Sequence, residues 1–261
     1  MVTGVLPIAF DDATKTIQTF LLTGKEYVCL MTLHGDVTPE RVHGVLNEFV
    51  GEIFQRPPVR AAVRRDLRTR KIYHIRDVEI DAREVLFRVG CQAGTYIRKL
   101  VYDAGEVLQV GAHMRELRRT RAGSFVEEKA FSLYDVMALS QSVGDAKEQM
   151  ARRIVVPMES AFDHIRQIHL RDSAVNSICH GADLAVPGIV RLTEGIQPRM
   201  SVALFTLKGE LVALSKALMS TEQMMKEDHG LAAKTVRVIM PADTYPRMWK
   251  TRPRQAVEVP S

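Results

Sequence analysis

The chain holds only three cysteines in 261 residues, Cys29, Cys91 and Cys179, far apart and odd in number. Neither a disulfide framework nor a zinc site follows from that pattern, and a reducing cytoplasmic compartment is the simplest expectation. No apolar run reaches the length of about eighteen residues that a membrane-spanning helix needs. The opening MVTGVLPIAFDDATK lacks a basic segment ahead of an apolar one and soon turns acidic, unlike a signal peptide. Internal repeats, low-complexity tracts and glycine-rich phosphate loops are missing too. Acidic charge is in deficit, with 31 Asp and Glu against 36 Lys and Arg, a formal charge of +5.

What is present suffices for one large or two moderate domains, since 46% of the residues are hydrophobic. The positive excess is gathered. Arg60, Arg64, Arg65, Arg68, Arg70 and Lys71 lie close together, opposed only by Asp66. Arg115, Arg118, Arg119 and Arg121 form a second cluster, and Arg247, Lys250, Arg252 and Arg254 a third. One basic cluster is usually a solvated face. Three rich in arginine point to nucleic acid, because the guanidinium matches phosphate geometry.

Residues 1–160 read as mixed α+β. A strand near Tyr27–Leu33 leads to Thr38-Pro39-Glu40, a helix start with proline in the first turn. The helix would run to Phe49, with Val42, Leu46 and Phe49 on one face, before Pro57-Pro58 breaks the chain. Strands are expected over Ile72–Ile80 and Val85–Cys91, and an exposed helical stretch over Ser132–Gln149. Composition changes near residue 165 to short strands and tight turns. There Asp172 is expected to cap a helix ending at Cys179, Lys208-Gly209-Glu210 to close a hairpin, and Val236–Met240 to form the last strand.

The stretch Cys91–Phe125, CQAGTYIRKLVYDAGEVLQVGAHMRELRRTRAGSF, concentrates the chemistry. Gly94 ends a strand, Thr95 is a candidate N-cap, and Ile97, Val101, Ala104 and Leu108 follow at helical spacing. Arg98 then falls at the third helical position, where a capping box would carry Glu or Gln and the helix dipole disfavours a cation. Two readings stand. Arg98 is a surface or ion-paired arginine, or it is held for a carboxylate or phosphate in a site.

Several segments resemble, in order, the TruB/dyskerin pseudouridine synthases, and in particular their archaeal and eukaryotic branch. VTGVLPIA (2–9) is similar to the end of the family's aspartate motif, and GKEYVCLMTLHGDV (24–37) to its tyrosine motif. FQRPPVRAAVRRDLRTRKIY (54–73) resembles the proline–arginine block. CQAGTYIRKL and GAHMRELRRTRAGSF resemble the arginine and leucine motifs. RDSAVNSICHGADLAVPGI (171–189) and RVIMPADTYPRMWK (237–250) resemble the PUA domain that follows the synthase domain. The resemblance implies a mixed-sheet α+β synthase domain over 1–160, incomplete at its N-terminus, a small β-barrel-like PUA domain over 161–250 and a basic tail over 251–261. It implies isomerisation of uridine in structured RNA: uracil leaves C1′, turns, and rejoins through C5, with no metal or cofactor. The base must leave its stack to be reached.

Carried over by position, Tyr27 resembles the tyrosine that stacks on the flipped base, Arg98 the arginine that pairs with the catalytic aspartate, and Leu117 the leucine of the base pocket. Without the resemblance, Tyr27 and Leu117 read as core residues. The first two basic clusters are the expected RNA contacts. His34 and His113 receive no role, and Asp11, Asp12, Asp36 and Asp103 are no substitutes for the nucleophile. In the family pattern the aspartate stands two residues ahead of the position that Met1 occupies. The chain as written is therefore expected not to isomerise uridine alone. A start assigned too late at an internal methionine is the favoured explanation, beside a split gene and a non-catalytic remnant. The implied partners are tRNA, rRNA, a box H/ACA guide RNA, and the particle's small zinc-ribbon, glycine–arginine-type and kink-turn-binding proteins. The alternative is a non-catalytic RNA-binding module built on the PUA domain.

Overall fold

The computed structural model describes residues 2–57, 64 and 66–248. The chain divides into two units, one formed by Met1–Phe10 and Thr16–Val156, the other by Asp11–Lys15 and Pro157–Ser261. The first unit contains β1 (Val2–Gly4), α1 (Ile17–Leu21), β2 (Lys25–Leu33), α2 (Pro39–Glu48), β3 (Gly51–Gln55), β4 (Arg68–Asp81), β5 (Glu84–Cys91), α3 (Ile97–Val107), β6 (Ala112–Ala122), β7 (Phe125–Val126), α4 (Leu133–Gln141) and α5 (Gly144–Ile154). Its strands form one sheet in the order β1-β6-β2-β5-β4-β3, with β7 beside β6. β1 runs parallel to β6 and the remaining pairs are antiparallel.

Period-two alternation builds the face that matters. Cys29, Met31 and Leu33 of β2 and Val85, Phe87, Val89 and Cys91 of β5 are all buried. They pack with Val42 and Leu46 of α2 and with Ile97, Leu100, Val101 and Ala104 of α3 in one core. Pro39 opens α2 as its spacing predicts. Gly105 lets α3 lie against the start of β6, because a Cβ there would stand 2.2 Å from the Ala112 nitrogen. In β4 the pairing with β5 slips between Ile72 and His74. This bulge turns Ile72 and Ile75 to the core while His74 and Arg76 face the other side. The exposed stretch expected over Ser132–Gln149 is two helices, α4 and α5. Ser132 and Asp135 form a capping box at the first. Gly144, at φ +61, opens the second.

The second unit contains β8 (Arg166–Leu170), α6 (Asp172–Cys179), β9 (Leu184–Ala185), β10 (Ile189–Leu192), β11 (Ser201–Phe205), β12 (Leu211–Ala217), α7 (Thr221–Lys226) and β13 (Leu231–Val238). Its sheet has the order β10-β8-β11-β12-β13-β9, curled around Ile168, Leu170, Val202, Leu204 and Val212. Three expectations are corrected. Asp172 is the first residue of α6 and Arg171 its N-cap, with no side-chain capping bond. The hairpin loop is Thr206–Glu210, wider than expected, with Gly209 at φ +86. The last strand begins at Leu231 and ends at Val238, earlier than 236–240, since it pairs with β12 along its length.

Candidate active site

β6 is the spine of the site. On one side Leu117 stands opposite Val2 of β1, and on the other opposite Cys29 of β2. Two residues along, Arg119 stands opposite Gly4 and Tyr27. The end of the aspartate motif, the tyrosine and the leucine thus occupy neighbouring rungs of three adjacent strands. Leu117 is 8% exposed and belongs to the core, and Tyr27 is half-buried against the same core. Burial pushes the Tyr27 phenol up, and the charge on Arg119 only partly offsets it, so the ring is neutral at physiological pH. A neutral, partly buried ring can offer a face to a base.

Arg98 is placed by contacts its own neighbourhood does not reveal. Thr95 is not the cap; its hydroxyl donates to the Gln92 carbonyl at 2.7 Å and tightens the turn after β5. The N-cap is Tyr96, so Arg98 is the second helical residue, not the third. Gln55, 2% exposed at the end of β3, holds that cap. Its amide accepts from the Tyr96 N–H at 3.0 Å and donates to the Tyr96 carbonyl at 3.1 Å. Arg98 itself is exposed, and its side chain makes no hydrogen bond or ion pair with the described residues. Of the two readings of Arg98, the ion pair is not made among the described residues: Arg98 is solvent-facing and available to an anion.

Three of the carboxylates set aside in the sequence are already engaged. Asp36 is bound by Arg83 at 2.7 Å and Asp103 by Lys99. Asp12 is bound by Lys15 at 2.8 Å. His34 and His113 share a 2.9 Å contact between ring nitrogens at an exposed edge. Burial pushes the Cys29 thiol up to about 12 and the Cys91 thiol up to about 11, which disfavours a thiolate at either. Among the described residues no group of three or more His, Cys, Asp or Glu could hold a metal ion.

Two residues beside Tyr27 went unnoticed in the sequence. The Lys25 ammonium donates to the carbonyls of Phe20, Leu21 and Thr23, closing α1. Burial, then Arg119, push its ammonium below the usual lysine range. Glu26 is buried on the opposite face of the sheet. Its carboxylate accepts from Arg88 at 3.2 Å, Thr120 at 3.1 Å, His74 at 3.1 Å and Arg76 at 3.1 Å. Gly90 makes room for this, since a Cβ there would stand 2.3 Å from the His74 ring.

The basic clusters divide. Arg60 and Arg65 lie outside the described residues, while Arg64 and Lys71 are exposed and Arg68 and Arg70 half-buried. The second cluster sits on β6, where successive side chains point to opposite faces. Arg115 pairs with Glu84 at 3.2 Å and Arg118 with Glu127 at 2.7 Å. Arg119 donates to the Val5 carbonyl at 2.7 Å. Arg121 has no side-chain partner among the described residues. These four form no single surface. Of the third cluster only Arg247 is described.

Comparison with known proteins bears on the family and the fold. The profile of the TruB family pseudouridylate synthase N-terminal domain matches residues 1–97. That of the tRNA pseudouridylate synthase B C-terminal domain matches 98–163, and that of the PUA domain 166–239. A probable tRNA pseudouridine synthase B of Methanopyrus kandleri is 56% identical over 249 residues, 95% of this chain and 74% of that protein. The protein of the same name from Pyrococcus abyssi is 51% identical, over 95% of this chain and 75% of its own length. The chain superposes on the crystal structure of a Cbf5–Nop10–Gar1 complex with TM-score 0.89 and 50% identity, over 94% of this chain and 75% of that one. For an H/ACA RNP bound to a substrate RNA containing 2′-deoxyuridine the TM-score is 0.86 and the identity 46%, over 95% of this chain and 76% of that one. The chain belongs to the TruB family of pseudouridylate synthases, with a PUA domain at its C-terminal end.

Proposed function

We propose that this chain is the uridine-isomerising subunit of an RNA-guided particle acting on tRNA or rRNA. The observation that carries the reading is the register around β6. It brings the strand following the aspartate motif, Tyr27 and Leu117 to neighbouring rungs. In this reading Tyr27 stacks on the flipped uracil, Leu117 walls the pocket, and Arg98 is the partner of the family's catalytic aspartate, which this sequence does not contain. Isomerisation conserves composition: the C1′–N1 bond breaks, a C1′–C5 bond forms, and the proton on C5 is lost as N1 gains one. The residues therefore have to hold a detached base, exclude water and move one proton, for which no cofactor is needed.

The second unit, as a PUA domain, would grip RNA, and the basic residues of the first two clusters would track its backbone. Partners of the kind named in the complexes of similar proteins, Nop10 and Gar1, are assigned to this chain on that likeness, and a kink-turn-binding protein on the family resemblance alone. The three free cysteines suit a reducing cytoplasm. The test is to reconstitute the protein with these partners and a guide RNA, then map pseudouridine by derivatisation and primer extension. Shifting the guide's pairing by one nucleotide should shift the modified position by one. A site that stays fixed in tRNA whatever the guide would contradict the guided reading.

A further inference from the structure

Arg119 differs from the other arginines of its cluster. Its Nε donates to the Val5 carbonyl at 2.7 Å, while its own carbonyl accepts from the Val5 N–H at 2.9 Å. One residue thus clamps Val5 through both backbone and side chain. Gly4 is built for that approach: it sits at φ +98, and a Cβ would stand 2.1 Å from the Arg119 oxygen. Across β6 the same residue is the rung partner of Tyr27, and its positive charge works against the upward push of burial on the Tyr27 phenol. Arg119 is half-buried, unlike the exposed Arg118 next to it.

We infer that Arg119 is a positioning residue for the isomerisation, joining the strand that follows the aspartate motif to the tyrosine of the base pocket. It does not hold an RNA phosphate. This rests on the reading of Tyr27 as the residue that stacks on the base. The guanidinium fork suits the task, because one N–H serves the Val5 carbonyl while the rest of the planar cation stays at the rung it shares with Tyr27. A lysine ammonium on a flexible stem cannot hold both in one plane. Fixing strand and ring together fixes the nucleophile's approach relative to the stacked base, the geometry on which such chemistry depends.

The test compares wild type, Arg119→Ala and Arg119→Lys in the protein as its source cells make it. Single-turnover rate at saturating RNA and RNA affinity are measured for each. The RNA-free proteins are titrated by NMR with 13Cζ-tyrosine labelling, Tyr27 being identified from Tyr27→Phe. The expected result for Arg119→Ala is a rate lowered about a hundredfold with RNA affinity changed by less than about twofold. Its Tyr27 phenol titrates higher than in wild type and its Val5 amide exchanges faster. Arg119→Lys restores Val5 protection and only part of the rate. Weakened affinity with a shallower salt dependence and an unchanged rate at saturation would make Arg119 a phosphate contact and overturn the inference. So would an unmoved Tyr27 titration. A wild-type protein that forms no pseudouridine would sink the reading of the site, while the Tyr27 titration and Val5 exchange still decide whether Arg119 joins the two segments.

Discussion

Glu26 and Tyr27 are neighbours in β2, both flanked by β5 and β6, that face opposite sides of the sheet. Tyr27 belongs to the pocket side. Glu26 ties β4, β5 and β6 to β2 from behind, through His74, Arg76, Arg88 and Thr120. Removing a buried carboxylate leaves its cationic partners uncompensated. Arg76 keeps 57% of its side chain in water, which limits the loss. Glu26→Ala should therefore cost about 2–4 kcal/mol in urea unfolding, toward the low end for a broken buried pair. Burial pushes the Glu26 carboxyl up, but Arg88, His74, Thr120 and Arg76 outweigh it and hold it below the ordinary glutamate range. Its folded-state pKa thus lies below its unfolded one. The stability it adds is present above the unfolded value and is lost as pH falls through the folded one. Glu26→Gln should flatten that acid-side decline, checked by unfolding midpoints from neutral pH downward. Arg98 makes the opposite kind of prediction. It holds nothing in the described structure, so Arg98→Ala should leave the unfolding midpoint within about 0.5 kcal/mol of wild type and lower turnover about a hundredfold or more.

At the scale of elements, the parts legible in the sequence are those governed by local rules. Alternation marked β5, Pro39 marked the start of α2, and the spacing of Ile97, Val101, Ala104 and Leu108 marked α3. The start of α3 was misplaced because its cap is held by Gln55, 41 residues earlier in the chain. No local rule sees that contact. The facing of the β4 side chains was hidden for a similar reason: the bulge near Tyr73 breaks the alternation from which a face is read. β6 read as an arginine cluster because charge masked a strand whose own pairing with β2 slips twice. Tyr27 and Leu117 were singled out through resemblance alone, since they also fit an ordinary core, whereas Arg98 stood out first as a cation at a helix start. The Gln55 contact yields a test. Gln55→Ala leaves the Tyr96 backbone groups without their partner and should destabilise by about 1–3 kcal/mol. It should also lower turnover more than RNA affinity, because α3 carries Arg98. Gly105→Ala should push α3 off β6 and cost about 1–3 kcal/mol, measured by thermal unfolding.

For the whole molecule, charge and fold converge on RNA. The chain carries a formal charge of +5, and its second unit matches the PUA domain. RNA affinity should fall steeply with salt, log K dropping by about 0.7–0.9 per log unit of salt for each phosphate contacted. Binding alone does not separate a synthase from an RNA-binding module, since both share that dependence. Loss of the C5 hydrogen does separate them, because it accompanies isomerisation and nothing in binding. The most direct measurement is therefore tritium release from RNA bearing 5-tritiated uridine, using the protein as its source cells make it with its guide and partners. Release at one uridine per RNA, abolished in Arg98→Ala while RNA stays bound, is the predicted result. Salt-sensitive RNA binding with no tritium released by the wild-type protein would contradict the reading of this site as one that isomerises uridine.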